Sequence, residues 1–411
     1  MDSRLASLVK SCVEKRATDL HITPFHPVVA RMDGQVHPIK EVLFSGKEVD
    51  EIADSIMKDR HRLILKKRWS VDFSMFTMGA NLRIHIASMA RGLSISVRFL
   101  PGKIPTIENL NLHPSLKDLC GFDAGLIIFC GATGSGKSST IASMLGEINR
   151  TRNAHVVTME DPIEYRFQSI KSYFEQREMG LHFHSFEQAL VDALRQMPDV
   201  ILVGEMRQRE IMQQTLHIAE SGHLVFTTLH ASSPEEAVYR ICNSFPYEYQ
   251  EMIRFQLASV LKAVIVQRLV YIKKLGFRVP LLSILRGNHA VKTSIRDNKL
   301  AQLEGLIDIS KAEGMFTFER YQEEFLDRKA QFVKPSVAFK LDSSTKPDTV
   351  YESRHIDYSV SSDVCDEVPA VRSYAGGVGA ANVMDITGSV GGQSVESGAV
   401  DEYIKQLEGG K

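Results

Sequence analysis

The chain lacks several features that would narrow its chemistry at once. Its formal net charge is −1 over 411 residues, so no global basic field advertises nucleic acid, and none is expected as a partner. Its five cysteines, Cys12, Cys120, Cys130, Cys242 and Cys365, are scattered without a CxxC pair. That spacing argues against a zinc ribbon or a disulfide framework and fits a reducing cytosol. No apolar run is long and clean enough to span a bilayer; the best, Leu257 to Ile272, is interrupted by Lys262, Gln267 and Arg268. The first residues have no apolar signal-peptide core, so no leader is expected. Apolar content of 44% and charged content of 24% are those of a soluble globular protein. A chain of 411 residues is too long for one ordinary core, and two or three domains are expected.

What the chain does contain is GATGSGKS, Gly131 to Ser138, which fits the phosphate-loop pattern G-x-x-x-x-G-K-[ST] at every required position. Gly131, Gly134 and Gly136 allow the backbone to turn successive N–H groups toward a polyphosphate. Ala132, Thr133, Ser135 and Ser139 complete the expected cradle. Lys137 can reach the β- and γ-phosphates of a nucleotide, and the Ser138 hydroxyl can ligate Mg²⁺. The run Leu126 to Cys130 reads as a buried strand entering the loop, and Ser139 to Asn149 as a helix leaving it. Strand, glycine loop and helix N-terminus together hold an anion.

The expected organisation is an N-terminal α+β domain (1–100), a linker (101–115) and an α/β domain that carries the phosphate loop (116–335). A Ser-, Gly- and Asp-rich tail (336–411), read as flexible, follows, with a short helix over 401–407. In the first domain, residues 3–15 read as a helix. Residues 20–22, 28–32, 71–76, 82–87 and 93–99 read as strands, with turns at Asp33-Gly34 and at 78–81. Pro101, Gly102 and Pro105 mark the linker. In the second domain the strands expected are 126–130, 155–159, 200–204 and 223–229, alternating with helices as in a parallel sheet. From about 234 to 335 a helical and mixed subregion is expected.

Two of these strands end in carboxylates. Residues 155–159 lead into Glu160, Asp161 and, past Pro162, Glu164. Residues 199–204 lead into Glu205. In a parallel sheet that edge faces the bound phosphates. Glu205 is read as the group that polarises the attacking water, and Glu160 as a support for the Mg²⁺ shell, with Asp161 and Glu164 behind it. Histidines bracket the third strand: His230 at the phosphate edge and His223 before the run, where it can contact a neighbouring segment. Arg83, Arg91 and Arg98 are arginine-finger candidates that must reach the nucleotide from another domain or another subunit.

Four ordered segments, GATGSGKSST, TMEDPIEY, LRQMPDVILVGEMR and ESGHLVFTTLH, resemble the Walker A, Asp box, Walker B and His box of secretion-superfamily hexameric ATPases. Within these, the chain is most similar to the type IV pilus retraction group, the PilT- and PilU-like ATPases, over about residues 17 to 330. The resemblance implies a PAS-like N-domain, a RecA-like ATPase domain and a homohexameric ring. It implies a membrane-platform partner at the inner membrane and, for some members, a paralogous motor ATPase. It assigns Glu160 and Glu164 to the Asp box, Glu205 to Walker B, His223 and His230 to the His box, and Arg83, Arg91 and Arg98 to N-domain arginines that approach ATP on closure. Gln208 stands where the family commonly has Asp. Ser294 stands within residues 290–295, which align with the retraction signature. Related type II, type IVB or conjugation ATPases, a non-catalytic accessory subunit and a nucleic-acid translocase are the alternative readings.

Overall fold

A computed structural model describes residues 1–339 apart from 16, 33, 34, 79, 101 and 102. The tail expected beyond residue 339, its helix at 401–407, the Asp33-Gly34 turn, Gly79 and the Pro101-Gly102 part of the linker lie outside the described residues.

The described residues form two sheets. The first contains β1 (Asp19–Ile22), β2 (Pro27–Met32), β3 (Gln35–Leu43), β4 (Ser70–Thr77), β5 (Ala80–Met89) and β6 (Gly92–Leu100). Its order is β3-β2-β1-β6-β5-β4, and every neighbouring pair is antiparallel. Period-two alternation sorts its faces. Leu82, Ile84 and Ile86 of β5 and Ile95, Val97 and Phe99 of β6 are buried, so Arg83 and Arg98 are left on the other face. The buried face packs against helices Ser3–Glu14 and Gly46–Ile56 through Leu5, Val9, Val49 and Ile52. Asp2 caps the first helix by accepting from Arg4 N–H, and Ser45 with Glu48 forms a capping box on the second.

The second sheet contains β7 (Gly125–Cys130), β8 (His155–Glu160), β9 (Tyr173–Glu178), β10 (Val200–Val203), β11 (Leu224–Leu229), β12 (Leu261–Ile272) and β13 (Phe277–Arg286). Its order is β13-β12-β7-β11-β10-β8-β9. All neighbours are parallel except the β12–β13 hairpin. Central strands with apolar residues on both faces feed two cores. Ile127 and Phe129 pack with Ile141, Met144 and Ile148 of the helix after the phosphate loop, whereas Leu126 and Ile128 join Leu190, Met212 and Leu257 on the opposite side.

The hairpin differs from the helical and mixed reading of this region. Helices Pro234–Asn243, Tyr247–Val260 and His289–Arg296 are present, but between them β-branched Val264, Ile265 and Val266 extend the sheet as β12, all fully buried. The strands β3 and β9 also lay outside the expected set. The β9 sequence, Tyr-Phe-Glu-Gln-Arg-Glu, is polar and half-buried at a sheet edge, so it has no apolar period to read.

The sheets meet through polar contacts. Ser74 of β4 donates to Glu178 of β9 at 2.6 Å, and the Ile163 N–H donates to the same carboxylate oxygen at 3.1 Å. Glu178 is only 3% exposed. Nearby, Arg166 donates to Asn81 at 3.1 Å.

Candidate active site

The parallel strands β7, β8, β10 and β11 share a C-terminal edge, and each delivers part of the site there. From β7 the chain enters Gly131–Ser138 and then the helix Lys137–Thr151. Gly131, Gly134 and Gly136 have φ of +136°, +77° and +91°, a region that side-chain-bearing residues rarely adopt. The Lys137 ammonium donates to the carbonyls of Gly131 at 2.7 Å and Ala132 at 3.0 Å. Burial pushes its pKa below the usual lysine range, and the nearby Glu205 carboxylate acts in the opposite sense. Ser138 is exposed at the start of the helix. The Ser139 hydroxyl shares a 2.7 Å hydrogen bond with the buried Tyr165 hydroxyl.

Gln267 of β12 was not among the expected site residues. Its side chain, 1% exposed, lies under the loop. It donates from Nε2 to the Ser135 carbonyl at 2.8 Å and accepts from the Thr140 hydroxyl at 2.7 Å. A Cβ on Gly136 would lie 2.7 Å from Gln267 Nε2, and one on Gly131 would lie 2.4 Å from the Gln267 carbonyl. Two of the loop glycines are thus required by the close approach of this strand as well as by their torsions. The sequence signal was an amide interrupting an apolar run; it counted against a membrane span but was not connected to the loop. Gln267→Leu leaves the Ser135 carbonyl and the Thr140 hydroxyl without their partners. It should lower unfolding stability by about 1–3 kcal/mol, measured by urea denaturation, and weaken nucleotide binding more than Thr140→Val does.

Glu160 ends β8. Its carboxylate accepts from the Thr158 hydroxyl at 2.7 Å and from Gln176 Nε2 at 3.2 Å. Burial pushes its pKa up to about 7 against these hydrogen bonds. The folded protein therefore holds a proton that the unfolded chain releases near the ordinary glutamate pKa of 4.5. Stability from this group is full below that value and declines as pH rises toward 7. Thermal melting of the nucleotide-free protein across this window should show the decline, and Glu160→Gln should flatten it. Asp161 follows through a cis bond to Pro162, and the chain then returns through Glu164 to Tyr165.

Between them, β10 and β11 place Glu205. Gly204 donates its N–H to the Met159 carbonyl at 2.8 Å, and a Cβ there would lie 3.1 Å from that same carbonyl oxygen. The tight fit accounts for a glycine immediately before Glu205. The Thr228 hydroxyl donates to the Gly204 carbonyl at 2.5 Å. The Glu205 carboxylate meets His230 Nε2 at 3.2 Å and Arg207 Nη2 at 2.8 Å.

Two clefts flank the loop. One, of about 1160 Å³, has Gly136, Ser139, Glu164 and Tyr165 on one side and Arg31 and Arg98 from the first sheet on another, with Leu269, Tyr271 and Phe277 supplying apolar wall. The other, of about 570 Å³, is bounded by Gly131–Ser135, His230, Arg240, Arg268 and Arg278. Oxygen donors at the loop, the Ser138 hydroxyl and the carboxylates of Glu160 and Glu205, suit a hard cation such as Mg²⁺. No cluster of three or more His, Cys, Asp or Glu fit to hold a metal by itself occurs among the described residues. Such a donor set fits Mg²⁺ held mainly by phosphate and water.

Lys137, Glu160, Glu164, Glu205 and His230 therefore converge on one edge, with Arg98 across the larger cleft. Arg98 is held by Asp19 at 2.9 Å. Its cross-strand partner Arg83 turns to Asp72 at 3.4 Å. Arg83 lines neither cleft, and two further expected residues are also not part of this convergence. Arg91 sits in the turn between β5 and β6, at the end of the hairpin away from Leu100 and the cleft. His223 precedes β11 at the opposite edge of the sheet, a strand length of about 20 Å from the loop. There its Nδ1 lies 3.0 Å from the Ser221 hydroxyl and 3.1 Å from the Ile218 carbonyl.

A phosphate loop on a mainly parallel sheet, with strand-end carboxylates beside it, defines a P-loop α/β protein. The model of the type II/IV secretion system protein family matches residues 2–295, and the chain belongs to that family. It is 37% identical over 317 residues to the type IV pilus retraction ATPase PilT of Pseudomonas aeruginosa, covering 77% of this chain and 92% of that one. It is 34% identical over 314 residues to the type IV pilus ATPase PilU of the same organism, covering 76% and 82%. An uncharacterized protein of Escherichia coli K12, YggR, is 37% identical over 318 residues, covering 77% and 96%. Among solved structures, the pilus retraction motor PilT with bound ADP matches with a TM-score of 0.70 at 38% identity, covering 77% of this chain and 95% of that one.

Proposed function

We propose that the chain is an ATP-hydrolysing motor subunit that powers type IV pilus retraction as a homohexamer at the cytoplasmic face of the inner membrane. The observation that carries this reading is the Glu205–His230 pair set beside a complete phosphate loop, in a chain that aligns with nearly all of PilT. Residues 1–100 are assigned as a PAS-like domain, 101–115 as a linker and 116–335 as a RecA-like ATPase domain, with the tail from 336 to 411. The loop amides and Lys137 bind the phosphates of ATP. Glu205 orients the attacking water, and His230 fixes the carboxylate that does so. Ser138, supported by Glu160, would hold Mg²⁺, which would supply charge neutralisation on the phosphates. Arg98, with Arg83 and Arg91 as further N-domain candidates, meets the γ-phosphate when the sheets close or a neighbouring subunit docks. His223, far from the loop of its own chain, is assigned to the segment Ile218–Ser221. A platform protein and, in some systems, a paralogous motor are the partners.

The test is complementation of a strain lacking this gene, with pilus retraction recorded in an optical trap. The wild-type chain should restore retraction and Glu205→Gln should not. Unchanged retraction in the deletion strain would overturn the pilus assignment while leaving ATP hydrolysis to be judged by purified-protein turnover.

A further inference from the structure

One surface of the first domain is left without a role by this reading. Helix Asp59–Arg68 is fastened to the sheet by few side chains: His61, which stacks on Phe73 with ring centres 4.2 Å apart, and half-buried Leu65 and Arg60. The rest faces outward. Leu63 is 61% exposed, Ile64 39% and Trp69, which caps the helix, 71%. Beside them Lys66, Lys67 and Arg68 are exposed and form no ion pair among the described residues, whereas Arg62 is taken by Asp54 and Asp59. Met89 extends the apolar area: it follows Ser88, whose N–H donates to the Trp69 carbonyl at 2.8 Å, and is 55% exposed.

Cations in the last turn of a helix complement its dipole. That role does not call for exposed leucine, isoleucine and tryptophan beside them. Trp69 also adopts φ +61°, the left-handed cap position that normally selects glycine. The only tryptophan of the chain is thus held in solvent at a position where its backbone is disfavoured.

We infer that the surface formed by Leu63, Ile64, Lys66, Lys67, Arg68 and Trp69 docks this domain directly onto an anionic phospholipid surface. Exposed lysine and arginine attract anionic headgroups, and leucine, isoleucine and tryptophan enter the headgroup–acyl boundary. Charge complementarity selects this occupant, because three consecutive cations without an ion pair among the described residues adjoin exposed apolar side chains, and the sequence from Leu63 to Trp69 holds no acidic residue. A protein partner or single-stranded nucleic acid are the competing occupants that the experiment separates. The contact is independent of the motor assignment, since it uses no residue of the nucleotide site.

The experiment uses the full chain and vesicles of phosphatidylcholine alone or mixed with phosphatidylglycerol, read by co-sedimentation and by Trp69 emission. Binding to the anionic vesicles with a blue shift of Trp69 emission is expected, absent with neutral vesicles and reversed by high salt. Replacing Lys66, Lys67 and Arg68 with Gln should weaken partitioning about five-fold per charge, on the order of 100-fold together. ATP turnover without lipid should be unchanged in that variant. No sedimentation, equal binding to neutral vesicles, or sedimentation without a change in Trp69 emission would each overturn the proposal. So would a salt-sensitive Trp69 response to single-stranded DNA with none to anionic vesicles.

Discussion

Lys137→Ala abolishes nucleotide binding and turnover, with activity expected to fall on the order of 10³-fold or more. The ammonium sits over the loop, 2.7 Å from the Gly131 carbonyl and 3.0 Å from that of Ala132. Both are neutral acceptors, and a phosphate oxygen makes a stronger, charge-assisted bond with the same donor. The surrounding burial that lowers the lysine pKa also strengthens its attraction for an anion. Removing the side chain deletes that cation while leaving the glycine torsions intact. Isothermal titration with ADP and steady-state ATP hydrolysis should therefore lose signal together, without a matching loss of thermal stability. Turnover within ten-fold of wild type would show that the loop amides suffice.

Glu205→Gln separates binding from chemistry. Its ADP affinity should stay close to wild type while turnover falls about 10²–10⁴-fold, the usual span for a positioned general base. The amide nearly preserves the shape that meets His230 and Arg207 at the end of β10. It removes the charge proposed to polarise the attacking water. A variant that failed to bind ADP would place Glu205 in phosphate or metal binding instead. His230→Ala should resemble a weaker version of the same phenotype, because the carboxylate loses a 3.2 Å partner and its orientation loosens.

The residues gathered at the candidate site were the most legible part of the chain because short motifs encode them locally. The phosphate loop needs glycines in fixed places, and Glu160 and Glu205 each follow an apolar strand that announces where the carboxylate emerges. Gln267 was illegible in that role because its two partners, Ser135 and Thr140, lie more than a hundred residues away. Only the pairing of β12 beside β7 brings them together. Arg83 and Arg98 were read as equivalent, and alternation does put both on one face. What distinguishes them is whether Asp19 or Asp72 claims the guanidinium, and cross-strand carboxylates cannot be paired from spacing. The hairpin β12–β13 was blurred for a different reason: an apolar run buried on both faces has no period that separates strand from helix.

Glu178 carries a consequence for timing. One of its donors, the Ser74 hydroxyl, belongs to the first sheet; the other, the Ile163 N–H, belongs to the segment that leaves Glu160. Apposition of the two sheets and order at the end of β8 are therefore tied through one carboxylate. Were the sheets to part, Ser74 would be exchanged for water and that segment would be steadied from one side alone. Glu178 thus keeps both of its donors only while the sheets are together, whereas the phosphate loop, built within the second sheet, does not depend on that apposition.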